Sequence, residues 1–544
     1  MNAAQLFVRC LENEGIDAIY GIPGEENIDL MDALRDSTIE FVLTRHEQAA
    51  AFMADVHGRL TGRAGVCLAT LGPGACNLIT GVADANMDRA PVVAIAGQAD
   101  TTRMHKESHQ YLDLVSLFEP ISKYSVQVRE PEIVPEVVRK AFKTAESEKP
   151  GLSFIEFPEN IAERDVVGKA PLKVQSAMEP DPAPEKLECA AAILRDARQA
   201  IILAGNGVVR GHASAALVAF AERLRIPVAT TFMAKGAISA FHPLSLGTIG
   251  IQAKDYVSSG FEAADVIVCV GYDMVEYAPA KWNPNQDKKI LHIDVTQAEV
   301  DEHYILEAGV LGRIGRTLNA LVELVEPKPE PNIGELRAII RAEREGHADD
   351  NSFPVKPQRI ISDLRKALDA EDIVLSDVGA HKVWMSRLYP AEAPNTCIIS
   401  NGFAAMGIAL PGAIAAKRVH PNRKIVAVVG DAGFMMNCQE IETAMRIGTP
   451  IVVLIWRDDK YGLIEWHQER KFGRATDIAF TNPDFVAFAE SFGALGLRVE
   501  RAEDLPAILE QALAADRVAI IDCPVDYSEN MKLTRKLGDL ECRT

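Results

Sequence analysis

The chain has 544 residues, 48% of them apolar and 25% charged, which argues against a disordered, collagen-like or disulfide-scaffold protein and suits about three or four domains of ~100–200 residues. Its 57 basic residues against 77 acidic ones leave a formal charge of −20. That balance supplies no basic footprint for nucleic acid or an anionic membrane surface, so neither is expected as a partner.

Residues 1–15 carry Arg9, Glu12 and Glu14 in an amphipathic stretch, not a basic segment leading into an apolar one, so no signal peptide is expected. The longest apolar stretch, 403–416, contains Pro411 and falls short of the ~18 residues a membrane span needs. The nine cysteines are scattered, odd in number and mostly set in apolar runs, which points to buried thiols in a reducing, cytoplasmic compartment. Pro-rich stretches at 179–185 and 326–332 read as linkers. They divide the chain into lobes at 1–175, 186–326 and 353–530, with a tail at 531–544.

In each lobe, β-branched runs are followed by glycine-containing turns and then helical patterns. Strands are predicted at 16–20, 41–43, 66–69 and 92–96 in the first lobe, and at 200–203, 228–230, 266–270 and 290–293 in the second. The third has them at 373–375, 425–429, 451–455 and 518–521. Unbroken apolar strands alternating with helices imply parallel sheets buried on both faces, hence three doubly wound α/β domains. Ligands of such sheets bind at the carboxyl ends of strands.

At one such end, the strand 425–429 runs into Gly430-Asp431-Ala432-Gly433. Small residues there let main-chain N–H groups approach a phosphate, and Asp431 can coordinate a hard cation. A second strand, 451–455, leads into Asp458-Asp459-Lys460-Tyr461-Gly462, with Asp458 27 residues beyond Asp431. Neighbouring parallel strands would bring the two carboxylates to one sheet edge, as a Mg²⁺ site shared with a diphosphate requires; two solvated loop aspartates are the plain alternative.

The Gly430-Asp431-Ala432 and Asp458–Gly462 pair resembles the thiamine diphosphate (ThDP) motif of the acetohydroxyacid synthase and pyruvate oxidase superfamily. The resemblance implies that Asp431, Asp458 and the main-chain carbonyl of Lys460 hold Mg²⁺, while Gly433, Tyr461, Gly462 and Leu463 complete the cofactor's surroundings. Asp458 stands where Asn is commoner, a change also found in catabolic acetolactate synthases. The family further implies a Glu after a buried strand and ahead of a helix, supplied by Thr44-Arg45-His46-Glu47. Its carboxyl, bonded to the cofactor's pyrimidine N1′, would promote the imino tautomer that removes the thiazolium C2 proton. A helix-capping role is the alternative for Glu47.

Other segments resemble the family along nearly the whole chain. Gly21-Ile22-Pro23-Gly24 and Thr70 through Gly74 to Asn77 resemble turns of the pyrimidine pocket, and Asn401, Ala404 and Met406 lie in a segment like the one that wedges the cofactor into its bent shape. Gly379 and His381 lie in a turn like those that contact the diphosphate. Gln110 and the segment 464–471, with His467, resemble substrate-facing parts. The stretches 106–110, 270–283 and 524–530 look like the catabolic acetolactate synthases, which condense two pyruvates into 2-acetolactate with loss of CO₂ and without flavin. FAD is not expected: Ala204-Gly-Asn-Gly207 is a lone glycine turn, and Tyr272-Asp273 replaces the Arg-containing segment of the flavin-binding relatives. Two departures bear on acceptor choice, His467 where the aligned members of the family carry Gln or Trp, and Glu25-Glu26-Asn27 after the first turn, which departs from the catabolic pattern. The resemblance therefore implies a pyruvate-condensing enzyme, with a 2-keto acid decarboxylase or a non-catalytic paralogue as alternatives. It also implies a homodimer or homotetramer in which Glu47 of one subunit meets the Mg²⁺ site of another.

Overall fold

The computed structural model describes residues 1–175, 178–250 and 256–530; the 531–544 tail lies outside them. Three six-stranded sheets, all parallel among the described residues, follow one another along the chain. The first contains β1 (Ala18–Gly21), β2 (Glu40–Leu43), β3 (Gly65–Ala69), β4 (Val92–Gln98), β5 (Tyr124–Gln127) and β6 (Leu152–Pro158), in the order β2-β1-β3-β4-β6-β5. The middle sheet contains β7 (Ala200–Ala204), β8 (Val228–Thr230), β9 (Ser245–Thr248), β10 (Val266–Val270), β11 (Lys289–Asp294) and β12 (Leu306–Leu311), ordered β12-β11-β10-β7-β8-β9. The third contains β13 (Ile373–Ser376), β14 (Cys397–Ile399), β15 (Ile425–Gly430), β16 (Val452–Arg457), β17 (Leu495–Arg498) and β18 (Ala519–Pro524), ordered β14-β13-β15-β16-β18-β17.

The first and third sheets repeat one order, whereas the middle sheet has the order of dinucleotide-binding sheets. The strand order reverses between β1 and β3, between β7 and β10, and between β13 and β15, so these carboxyl ends are where each domain can receive a ligand.

Every predicted strand is present, and the three doubly wound domains stand as expected. Six strands had no sequence signal: β5, β6, β9, β12, β14 and β17. All but β6 are edge strands. β5 and β17 are largely half-exposed and β12 alternates, so none carries the apolar run of a fully covered strand, while β9 and β14 are short. β6 lies inside the sheet but interrupts its run with the buried polar residues Ser153 and Glu156.

The first and third domains share one core. Helix Glu47–Thr61 lies along helix Ala409–Val419, and a Cβ on Gly412 would come 2.8 Å from Val56 Cγ2, so this glycine sets how closely the two helices approach. No helix among the described residues is long and apolar enough to cross a membrane.

Candidate functional site

The turns after β13, β15 and β16 enclose a cavity of about 170 Å³. After β13, a Cβ on Gly379 would stand 2.7 Å from His381 Cε1, and one on Gly430 would stand 3.1 Å from the same atom. Two glycines therefore let the His381 ring lie buried beneath the turns. Burial pushes that imidazole down to about 3, against a hydrogen bond to the Asp377 main chain, and its Nε2 has no hydrogen-bond partner among the described residues.

After β15, Gly430 caps helix Asp431–Asn437, which places the Asp431 carboxylate at a helix N-terminus. It accepts hydrogen bonds from the main-chain N–H of Ala432 (3.0 Å) and Asp459 (2.7 Å) and from Asn482 Nδ2 (2.8 Å). After β16, Asp458 Oδ2 is buried and has no hydrogen bond among the described residues, and a Cβ on Gly462 would lie 2.3 Å from it. Burial, and next the Asp431 charge, push the Asp458 carboxyl up to about 8; burial raises Asp431 as well. Lys460 lines the cavity too, its ammonium turned aside to Glu465 at 2.6 Å. Two neighbouring carboxylates, with one oxygen lacking a partner among the described residues, make an oxygen donor set that suits a small divalent cation.

The remaining wall brings together Ala404, Met406, Ala432, Gly433, Tyr461 and Leu463 and adds Ile464, the first residue of the segment likened to substrate-facing parts, with Val378, Ala380 and Tyr527, which sequence reasoning did not assign to the site. Asn482 was missed as well; it reaches Asp431 from a loop with no motif of its own.

A second cluster forms at the carboxyl ends of β1 and β3. Glu47 opens helix Glu47–Thr61 and is buried, and its Oε2 accepts from Asn77 Nδ2 at 2.9 Å. A Cβ on Gly74 would come 3.3 Å from Glu47 Oε1 and 2.9 Å from Thr70 Cγ2, and one on Gly24 would come 2.4 Å from Thr70 Cβ. Pro23 precedes that turn, exposed. Thr70 Oγ1 donates to the buried Glu26 at 3.0 Å. The exposed Gln110 joins by its main chain: a Cβ on Gly72 would lie 2.5 Å from the Gln110 carbonyl oxygen.

None of this second cluster lines the third-domain cavity. Two other predicted residues also stay outside the lining. Asn401 turns its amide to the Glu276 carbonyl (2.8 Å), and His467 is exposed on helix Gly462–Phe472, beyond Leu463 and Ile464.

The turn after β7 is built differently. Gly205 and Gly207 pack against Gly271, and Glu276 accepts from the main-chain N–H of Asn206 (3.1 Å) and Asp273 (3.2 Å) and from the Thr231 hydroxyl. A carboxylate of the chain itself thus occupies the anion position of that switch point.

Residues 1–117 match the N-terminal thiamine pyrophosphate (ThDP) binding domain of thiamine pyrophosphate enzymes, 187–321 their central domain and 377–523 their C-terminal ThDP-binding domain. Fold and matches together define a three-domain enzyme of the ThDP type. Over 99% of its length the chain is 38% identical to an acetolactate synthase of Bacillus subtilis (96% of that protein), and over 98% it is 35% identical to a catabolic acetolactate synthase of Raoultella terrigena (97% of that protein). An acetolactate synthase of Mycobacterium bovis is 31% identical over 96% of the chain and 87% of its own length. The chain belongs to the acetolactate synthase family of thiamine pyrophosphate enzymes.

Proposed function

We propose that the protein is a ThDP- and Mg²⁺-dependent acetolactate synthase, which converts two pyruvates and a proton into 2-acetolactate and CO₂. The observation that carries this reading is the third-domain cavity beside the β13–β15 switch point, lined by Asp431 and by Asp458, one oxygen of which has no partner among the described residues. On this reading Asp431, Asp458 and the Lys460 carbonyl hold Mg²⁺, with the diphosphate against the Gly379, Gly430 and Gly433 turns. Met406 and Leu463 face the cofactor's apolar middle. ThDP, when bound, supplies a nucleophilic carbon that adds to the keto group and takes up the electron pair released with CO₂.

The chain's own residues orient and protonate. Asn77 holds Oε2 of Glu47, while Oε1 carries no hydrogen bond among the described residues and faces the side-chain-free space at Gly74. Glu47 can therefore hold or return a proton at the pyrimidine nitrogen. Because the Glu47 cluster does not line the cavity of its own chain, we assign the complete site to two copies, each giving one half. The 1–175 lobe is then the pyrimidine-binding half and 353–530 the diphosphate-binding half. The lobe 186–326 binds no flavin, since Glu276 already takes the turn's main-chain donors. Gln110 and His467 remain candidates for acceptor selection.

The test is product analysis of purified protein given pyruvate, Mg²⁺ and ThDP, with and without FAD. Acetolactate in excess of acetaldehyde, at equal rates with and without flavin, is expected. Predominant acetaldehyde would replace the reading by a 2-keto acid decarboxylase, and neither product would contradict both.

A further inference from the structure

The loop 400–407, between β14 and helix Ala409–Val419, carries Ala404 and Met406 to the cavity wall with Ala404 in a left-handed conformation (φ 59°). A non-glycine residue holds that conformation only when its surroundings fix it. The fixing groups lie in another domain. Ser400 Oγ and the Ala405 N–H donate to Asp84 at 2.7 and 3.1 Å, and the N–H groups of Asn401 and Gly402 donate to Asp88 at 3.0 and 2.5 Å. A Cβ on Gly402 would stand 2.7 Å from Asp88 Oδ1, so this approach requires glycine. Both carboxylates are fully buried, at the end of helix Pro73–Met87, and both pair with Arg59 (3.0 and 2.9 Å). Arg59 also pairs with Asp55, which is equally buried, but Asp55 accepts no hydrogen bond from the loop. The far end of the loop is tied inside the third domain, where the Gly407 N–H donates to Asp377 (2.8 Å).

From this we infer that Asp84 and Asp88 are positioning residues for the cofactor: they never reach the cavity, but by holding four donors of the loop they fix Ala404 and Met406 against it. The inference rests on the ThDP reading above. Helix Pro73–Met87 also carries Asn77, the partner of Glu47, at its other end. One rigid element therefore sets both the proton-handling carboxyl of the first domain and the wedge loop of the third.

Asp55 supplies the control, since Asp55→Asn disturbs the same ion cluster without touching the loop. ThDP affinity in saturating Mg²⁺, read by quenching of tryptophan fluorescence, is expected to weaken at least ~10-fold in Asp84→Asn and Asp88→Asn, the order of loss when a group that orients a ligand-holding element is removed. Asp55→Asn alters the Arg59 ion cluster but removes no acceptor from the loop, so it should stay within ~3-fold of wild type. At saturating ThDP, kcat of the Asp84 and Asp88 variants should fall far less than their apparent KM for ThDP rises. Ser400→Ala, which deletes one donor and no charge, gives a milder weakening of ~2- to 5-fold and serves if the aspartate variants do not fold. Asp84, Asp88 and Ser400 variants that bind as wild type, or an Asp55→Asn loss equal to theirs, would overturn the inference. Wild-type protein that binds no ThDP would overturn both the inference and the reading beneath it.

Discussion

The third and middle sheets both end their inner strands in glycine turns where the strand order reverses, yet the two turns differ in what fills them. At β13 and β15, Gly379 and Gly430 open onto a cavity in which burial and the Asp431 charge raise the Asp458 carboxyl and one Asp458 oxygen has no hydrogen bond among the described residues. At β7 and β10, Gly205 and Gly271 close on each other, and Glu276 takes the main-chain donors that an anionic ligand would need. The middle domain has the sheet order of a dinucleotide-binding domain, but at this turn the chain's own Glu276 takes the Asn206 and Asp273 N–H groups. Topology says where a ligand can sit; unused donors and unbalanced charge say whether the chain has left room for it.

Removing a carboxylate from the open turn breaks the comparison most severely. Asp431→Ala is expected to reduce ThDP retained through gel filtration in Mg²⁺ to background, since the cation loses a charged ligand and Asn482 loses one of its two acceptors. Retention equal to wild type would remove the metal assignment. Next in size, Glu47→Gln should lower kcat by at least ~100-fold, the low end of a general acid–base contribution, while cofactor is still bound. Turnover near wild type would take Glu47 out of its role.

The filled turn is sharpened by pH. Burial pushes the Glu276 carboxyl from 4.5 up to about 7, with Asp273 raising it and Arg210, the Thr231 hydroxyl and the Asn206 N–H lowering it. A carboxyl raised in the folded state binds its proton more tightly there, so its stabilising contribution is complete below about pH 4.5 and is lost as pH rises through about 7. Wild type should therefore lose up to about 3 kcal/mol relative to Glu276→Gln between about pH 5 and pH 8, measured from paired denaturant titrations. Parallel stability curves would mean that Glu276 ionises in the folded chain as readily as in the unfolded one, and that burial does not raise its carboxyl. The smallest effect is expected at Lys460, whose ammonium pairs with Glu465. Lys460→Met should leave ThDP affinity within ~3-fold, because partly exposed ion pairs contribute ~1 kcal/mol or less. A larger loss would assign the side chain a part that we give to the carbonyl.

The inner strands and the turns that follow them were legible in the sequence because both faces of those strands are covered, leaving unbroken apolar runs such as 425–429. Among the edge strands only β2 gave a run that could be read, and the other five did not. Within the site, Asp431, Asp458 and Glu47 could be read because each follows a strand and precedes a helix. Asn482, Tyr527 and Glu276 could not, since each enters its site through contacts between segments far apart in sequence, which no local spacing records. Asn401 and His467 show the converse: position in a motif does not fix where a side chain turns, and Asn401 spends its amide on the Glu276 carbonyl.

The central claim is that Glu47 of one copy completes the Asp431–Asp458 cavity of another. Mixing the two inactive variants tests it directly: Glu47→Gln and Asp431→Ala, co-expressed with different tags and purified as the doubly tagged hybrid. The account predicts that activity returns in the hybrid, because one of its two sites combines an intact Glu47 with an intact Asp431. A hybrid as inactive as its parents would contradict a site shared between copies.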